Sequence, residues 1–150
     1  MSLENLQIIE ISSEETIPVR QPVLRAGRPV ADCIFEGDDL KSTIHLGAFI
    51  NNKLVGVVTY MKNTNTLFDF KNQYQLRGMA VLEEFQGKGV GKKLLYKGEQ
   101  ILKLKEAQLI WCNARIIALP FYKSDGFKII GEEFHIPTVG PHFVMWKEVK

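Results

Sequence analysis

Gln75-Leu76-Arg77-Gly78-Met79-Ala80-Val81-Leu82-Glu83-Glu84-Phe85-Gln86-Gly87-Lys88-Gly89-Val90-Gly91-Lys92-Lys93-Leu94-Leu95 is the stretch that decides how this chain is read. A run with the character of a strand gives way to glycines at alternate positions, Gly87, Gly89 and Gly91, which open directly into an amphipathic helical pattern. Glycine lets the backbone approach a ligand closely, and the first-turn amides of a helix have no partner within it. With the helix dipole adding partial positive charge, such a turn cradles an anion, and a pyrophosphate fits. Lys88, Lys92 and Lys93 add full charges nearby.

Two common nucleotide loops fail against this spacing. A P-loop requires glycine, four residues, then Gly-Lys and a hydroxyl residue, but five on from Gly87 stands Lys92, and Lys93 follows the Gly91-Lys92 pair. The dinucleotide pattern Gly-x-Gly-x-x-Gly fails too, because Lys92 or Leu94 occupies the last position.

Gln86-Gly87-Lys88-Gly89-Val90-Gly91 instead resembles the acyl-CoA-binding motif of the GCN5-related N-acetyltransferases, the GNAT superfamily. Downstream, Phe121-Tyr122-Lys123-Ser124-Asp125-Gly126-Phe127 resembles that family's second signature, a helix ending in Tyr, three residues, then Gly-Phe entering a strand. The resemblance is closest over residues 75 to 131 and extends over the chain. It implies one domain, 1–150, of mixed α/β class with the GNAT-like acyl-CoA N-acyltransferase fold. In that fold a central, mostly antiparallel sheet is flanked by helices and splays between its fourth and fifth strands, where the thioester enters.

The implied activity is acetyl transfer from acetyl-CoA (coenzyme A) to a primary amine by direct attack in a ternary complex. Gln86 to Lys92 would bind the coenzyme, with Gln86, Gly87, Lys88, Gly89, Val90, Gly91 and Lys92 contributing chiefly through the backbone. Met79, Ala80 and Val81 would line the thioester arm with backbone groups, one amide polarising the acetyl carbonyl, and Gly78 fits a bulge just before them. Phe121 would pack against the cofactor arm or the core. Asn113 and Arg115 flank the position where the family often has an asparagine on the pantetheine arm. Spacing back from Tyr122 puts Arg115 there, while Asn113 supplies the residue type.

A phenol is protonated at neutral pH, so Tyr122 is the candidate general acid for the departing sulfur. Glu83, His135 and His142 are candidates for the base. His142 leads, as a loop histidine in Val139-Gly140-Pro141-His142 that would sit at a cleft edge. Relay through water would dispense with a single base. The acceptor, a small amine or a peptide, would be shaped by residues 17 to 39 and 133 to 143, where Arg20, Arg25, Arg28, Glu36, Asp38 and Asp39 suit either sign of substrate. A non-catalytic acyl-CoA sensor or interaction module on the same fold is the alternative, and a homodimer is compatible with either.

Composition agrees with a soluble enzyme. At 150 residues, 45% hydrophobic and 24% charged, the chain suffices for a packed core. The net charge of +2 gives no electrostatic case for nucleic acid. Cys33 and Cys112 are too far apart in sequence for a Cys-x-x-Cys site, so neither a disulfide framework nor a metal is expected. Met1-Ser2-Leu3-Glu4-Asn5 lacks the basic-then-apolar pattern of a signal peptide, and no apolar run reaches membrane-spanning length, which makes a cytoplasmic location the expectation.

Along the chain, strands are predicted at residues 6–11, 45–50, 54–61, 73–81, 109–112, 128–134 and 143–149. Helices are predicted at 16–25, 89–105 and 116–123, the first capped by Ser12-Ser13-Glu14-Glu15 and kinked or broken early at Pro22. Residues 26–43 read as a long loop. Asn51-Asn52-Lys53 reads as a hairpin turn, and Gly98 as a point of close packing against the sheet.

Overall fold

The protein is described here by a computed structural model covering residues 5–150; the reading of Met1-Ser2-Leu3-Glu4 as lacking signal character lies outside the described residues. Seven strands form one mixed sheet: β1 (Leu6–Ile11), β2 (Ile44–Ile50), β3 (Lys53–Lys62), β4 (Gln73–Val81), β5 (Leu109–Arg115), β6 (Lys128–Ile136) and β7 (Gly140–Glu148), in the order β1-β2-β3-β4-β5-β7-β6. The helices are α1 (Ile17–Leu24), α2 (Val90–Leu104) and α3 (Leu119–Ser124). β4 and β5 pair in parallel over Gln73–Gln75 and Leu109–Trp111 only, so the ladder stops well before β4 ends at Val81. Among the described residues no helix is long and apolar enough to cross a membrane.

By internal contacts the chain divides into two compact units, residues 1–61 with 76–101 and residues 62–75 with 102–150. In the first, β1 to β3 form an antiparallel meander. Asn51 and Asn52 carry φ of 49° and 67°, the left-handed pair a two-residue primed hairpin turn requires. A capping box opens the segment before α1: Ser12 Oγ accepts from the Glu15 amide, and Glu15 Oε1 accepts from the Ser12 amide. Pro22 lies inside α1 without breaking it. Its missing amide would have bonded residue 18, itself a first-turn proline, and the helix is already ending at Leu24.

α2 packs onto β3 where two glycines thin the surface. A Cβ at Gly56 would stand 3.1 Å from Val90 and Leu94 side-chain atoms. One at Gly98 would fall 2.3 Å from Cε2 and Oη of buried Tyr60, so the close packing expected of Gly98 is present. Val90, Leu94, Leu95 and Leu102 are buried along the same helix at helical spacing.

In the second unit β7 pairs antiparallel with both β5 and β6, and Leu109, Ile110, Met145, Tyr122 and Phe127 are buried there. The closing strands run longer than predicted, because the β6–β7 hairpin closes tightly with Thr138 at φ 66° and the Val139 amide donating to Ile136. The helix predicted at 116–123 splits into a 3-10 turn, Ile116–Ala118, followed by α3, whose first turn carries Pro120.

Gly98→Ala tests the α2 packing. Helix propensity alone would favour alanine by about 1 kcal/mol, but overpacking costs about 1–3 kcal/mol, and a Cβ with no room below it puts the variant at the upper end. Urea unfolding is expected to show a net loss of about 1–2 kcal/mol; unchanged or raised stability would mean that Tyr60 moves aside freely.

Candidate active site

In the first unit, residues 79–92 form one continuous feature. The chain leaves β4 at Val81, and the Leu82 amide donates to Val55 O at 2.8 Å, pinning the exit to β3. A 3-10 turn over Glu83–Phe85 buries Phe85 and leaves Glu83 exposed. Gln86 Nε2 donates back to Val81 O at 2.8 Å, and the exposed stretch Gln86–Gly89 follows. Gly87 and Gly89 have φ of 75° and 88°, which side-chain-bearing residues rarely adopt, and nothing lies within 4 Å of a Cβ at Gly87.

A bond at the start of α2 runs from the Lys93 amide to Gly89 O, and the first-turn amides of Val90 and Gly91 have no acceptor within the helix. An open, glycine-built turn with helix-start amides fits the diphosphate of coenzyme A. Upstream, Gly78 has φ of 59°, consistent with the expected bulge; Met79 and Val81 are half-buried and Ala80 is in the core with Ile11, Val19 and Val57.

In the second unit, Tyr122 on α3 is 6% exposed and packs edge-on to Phe121 and Phe127, with centroids 5.1 and 5.4 Å away. Asn113 is exposed near the end of β5, and half-buried Arg115 pairs across the ladder with His142. His142 departs from its expected setting. It lies inside β7, 3% exposed, rather than on a loop, because pairing with β6 extends β7 back to Gly140 while Arg115 of β5 flanks His142 on the other side. Its Nδ1 donates to Gly140 O at 2.7 Å, and the ring is tilted against Phe134. His135 on β6 is exposed. Burial pushes the Cys112 thiol pKa well up, against any thiolate role. Among the described residues no group of three or more His, Cys, Asp or Glu is arranged to hold a metal.

The long loop holds what the sequence does not announce. Arg20, fully buried on α1, donates to both Asp38 oxygens at 2.6 and 3.2 Å, to Cys33 O at 2.9 Å and to Thr59 Oγ1 at 2.8 Å. His45 Nε2 meets Asp38 O at 2.8 Å, so it is the protonated nitrogen, and Nδ1 accepts from Thr59 Oγ1 at 2.7 Å. This closed network anchors residues 33–38 to α1, β2 and β3. Arg20 and Asp38 are thus tied to each other, Arg28 pairs with Asp32, and Asp39 accepts from Ser13. No local sequence pattern marks Arg20 or Asp38; only the unusual length of the loop hints that something holds it.

The family pattern for acetyltransferases (GNAT) matches residues 7–127. The chain belongs to the GNAT acetyltransferase family. It is 32% identical over 145 residues to the uncharacterized N-acetyltransferase YitI of Bacillus subtilis (strain 168), covering 97% of each chain. Its fold is similar to that of an aminoglycoside 6'-N-acetyltransferase solved with coenzyme A, with a TM-score of 0.77, 14% identity, and 96% and 97% of the two chains covered. Escherichia coli ElaA is similar at a TM-score of 0.77 and 20% identity, over 95% and 99%. Family membership makes the chain an acetyltransferase, its chemistry acyl transfer from a coenzyme A-linked donor.

The anchoring network generates its own test. Removing one partner of a buried ion pair strands the other, and Asp38→Ala is expected to cost about 3–5 kcal/mol in urea unfolding. A loss under about 1 kcal/mol, the range of an exposed pair, would show that Arg20 finds water or another acceptor.

Proposed function

We infer that the chain transfers an acetyl group from acetyl-CoA to a primary amine by direct attack in a ternary complex. The observation that carries this reading is the turn from β4 into α2, where Gly87 and Gly89 at positive φ precede helix-start amides with no acceptor in the helix. Acetyl-CoA supplies the thioester whose C–S bond breaks as the C–N bond to the amine forms. The backbone of residues 86–92 binds the diphosphate, and that of Met79, Ala80 and Val81 orients the acetyl carbonyl. Asn113, Arg115 and Phe121 are assigned to the coenzyme arm. Tyr122 Oη holds a proton for the departing sulfur, and His142 Nε2, whose tautomer is set by Gly140 O, takes one from the amine, directly or through water. A cytoplasmic location follows from the same reading.

Gly89→Ala and Gly89→Asp impose the same backbone strain, while only the second adds a negative charge to the cradle. By calorimetry, coenzyme A affinity is expected to fall further in Gly89→Asp by about 10-fold or more, a charge-assisted contact being worth about 1.5–3 kcal/mol. Equal affinity in the two folded variants would place the diphosphate elsewhere.

Tyr122→Phe keeps the ring that packs with Phe121 and Phe127 and removes only Oη. At saturating acetyl-CoA its turnover is expected to drop about 10- to 100-fold with coenzyme binding nearly intact, since general acids contribute about 10²–10⁴-fold. Unchanged turnover in a free-thiol assay would remove Tyr122 from the chemistry. Coenzyme binding without thiol release, across a panel of amines and peptides, would favour the acyl-CoA sensor.

A further inference from the structure

Three guanidinium groups converge on one aromatic ring in the first unit. Arg20 stacks on Phe35 with its Cζ 4.0 Å from the centroid, and Arg25 and Arg77 approach to 5.2 and 5.3 Å. Each cation is attracted to the ring face, but three like charges around a half-buried ring repel one another in a poorly screened place. Asp38 offsets part of this for Arg77 through space but makes no hydrogen bond to it. Its two oxygens are taken by Arg20 and the Phe35 amide.

Arg77 is half-buried, and Nη1 is spent on Glu36 O at 2.7 Å and a weaker contact with Met61 Sδ at 3.7 Å. Among the described residues no carboxylate pairs with it, although Glu36 and Asp38 act on it from farther away. Burial lowers its pKa, a penalty on the charged form that a bound anion would relieve. The fully buried Arg20 Nε also has no hydrogen-bond partner. Arg77 and Arg20 Nε thus keep donors to spare.

The position of the cluster gives those donors a use. Arg77 directly precedes Gly78 and the Met79–Val81 backbone, and Arg20 Nε and Phe35 Cε2 each lie 3.1 Å from where a Cβ at Gly78 would stand. We propose that the cluster of Phe35 and Arg77, backed by Arg20, binds the carboxylate of the acetyl acceptor, so that the substrate is an amino acid or another amine bearing a carboxylate. The planar fork of Arg77 suits a carboxylate, and its place beside the acetyl-orienting backbone would bring the same molecule's amine to the reacting carbon. This rests on the acetyl-transfer reading above.

The test measures thiol release from saturating acetyl-CoA with amino acids, each paired with its carboxamide, for the wild type, Arg77→Gln and Arg77→Lys. The wild type is expected to prefer the acid, and Arg77→Gln to erase that preference by raising KM for the acid about 10- to 100-fold with the amide unaffected, the worth of a charge-assisted pair. Arg77→Lys should keep part of the preference, and coenzyme A affinity should not change in either variant. Equal kcat/KM for acid and amide in the wild type overturns the proposal, as does an equal loss on both in Arg77→Gln, which would make Arg77 only an anchor for Glu36. A fall in coenzyme A affinity also overturns it, assigning the cluster to a coenzyme phosphate. If Arg77→Gln does not fold, the acid-to-amide ratios of the wild type and Arg77→Lys decide. Coenzyme binding with no thiol release from any amine overturns the acetyl-transfer reading itself.

Discussion

The passage from β4 into α2 constrains most of the first unit. Between the end of β4 and the start of α2 the chain reverses through Gly87 and Gly89, at φ of 75° and 88°, which side-chain-bearing residues rarely adopt. Once the helix starts at Val90, its axis is fixed by what it must lie upon. Gly56 and Gly98 let it sit close to β3, while Leu82 and Phe85 tie the turn down at its other end. The amides of the first helical turn are thus aimed outward by packing elsewhere. That is preorganisation: the cradle need not be ordered when a ligand arrives.

The second constraint is ionic. Fully burying Arg20 is costly, and a hydrophobic pair of equal volume would often be as stable or more so. What an ionic centre adds is direction. Asp38, the Cys33 carbonyl and Thr59 each occupy a defined bearing around the guanidinium, and His45 braces Thr59 and Asp38 O, so a loop with little regular structure of its own is held in one conformation. Phe35 rides on that anchored stretch and meets the cations of α1 and β4. Loop residues held this way become part of a site; loosely tethered, they would not.

What the sequence made legible follows from the range of the forces involved. β1 and β4 were read to their end residues and the hairpin at Asn51-Asn52 by its turn chemistry, because alternation and turn preference are local. Gly98 was read from a local conflict, a poor helix former on an apolar face. The misreading of His142 was tertiary: Pro141 made it look like a loop residue, yet pairing with β6 carries β7 back through it to Gly140. Pro22, read as a kink or an early break, lies within a helix that ends at Leu24. The glycine turn was legible because its glycines stand at alternate positions within one short stretch. The Arg20–Asp38 pair and the ring of cations around Phe35 join residues distant in sequence, and no periodicity records them.

The two anion-seeking features of the first unit work through different physics, and magnitudes separate their roles. Lys88, Lys92 and Lys93 are exposed, so salt at physiological strength screens them beyond about 8 Å, and they serve encounter more than residence. On the proposed reading the lasting grip at the glycine turn would fall to backbone amides, which are dipoles and tolerate any acyl chain that a diphosphate carries. Arg77 is half-buried, where the effective dielectric is lower and a unit charge at about 4 Å counts for several times its value in water. On the proposed reading, discrimination between acceptors would belong where charge is buried, and retention of the common donor where it is not. A transferase with one donor and a chosen acceptor needs both kinds of contact.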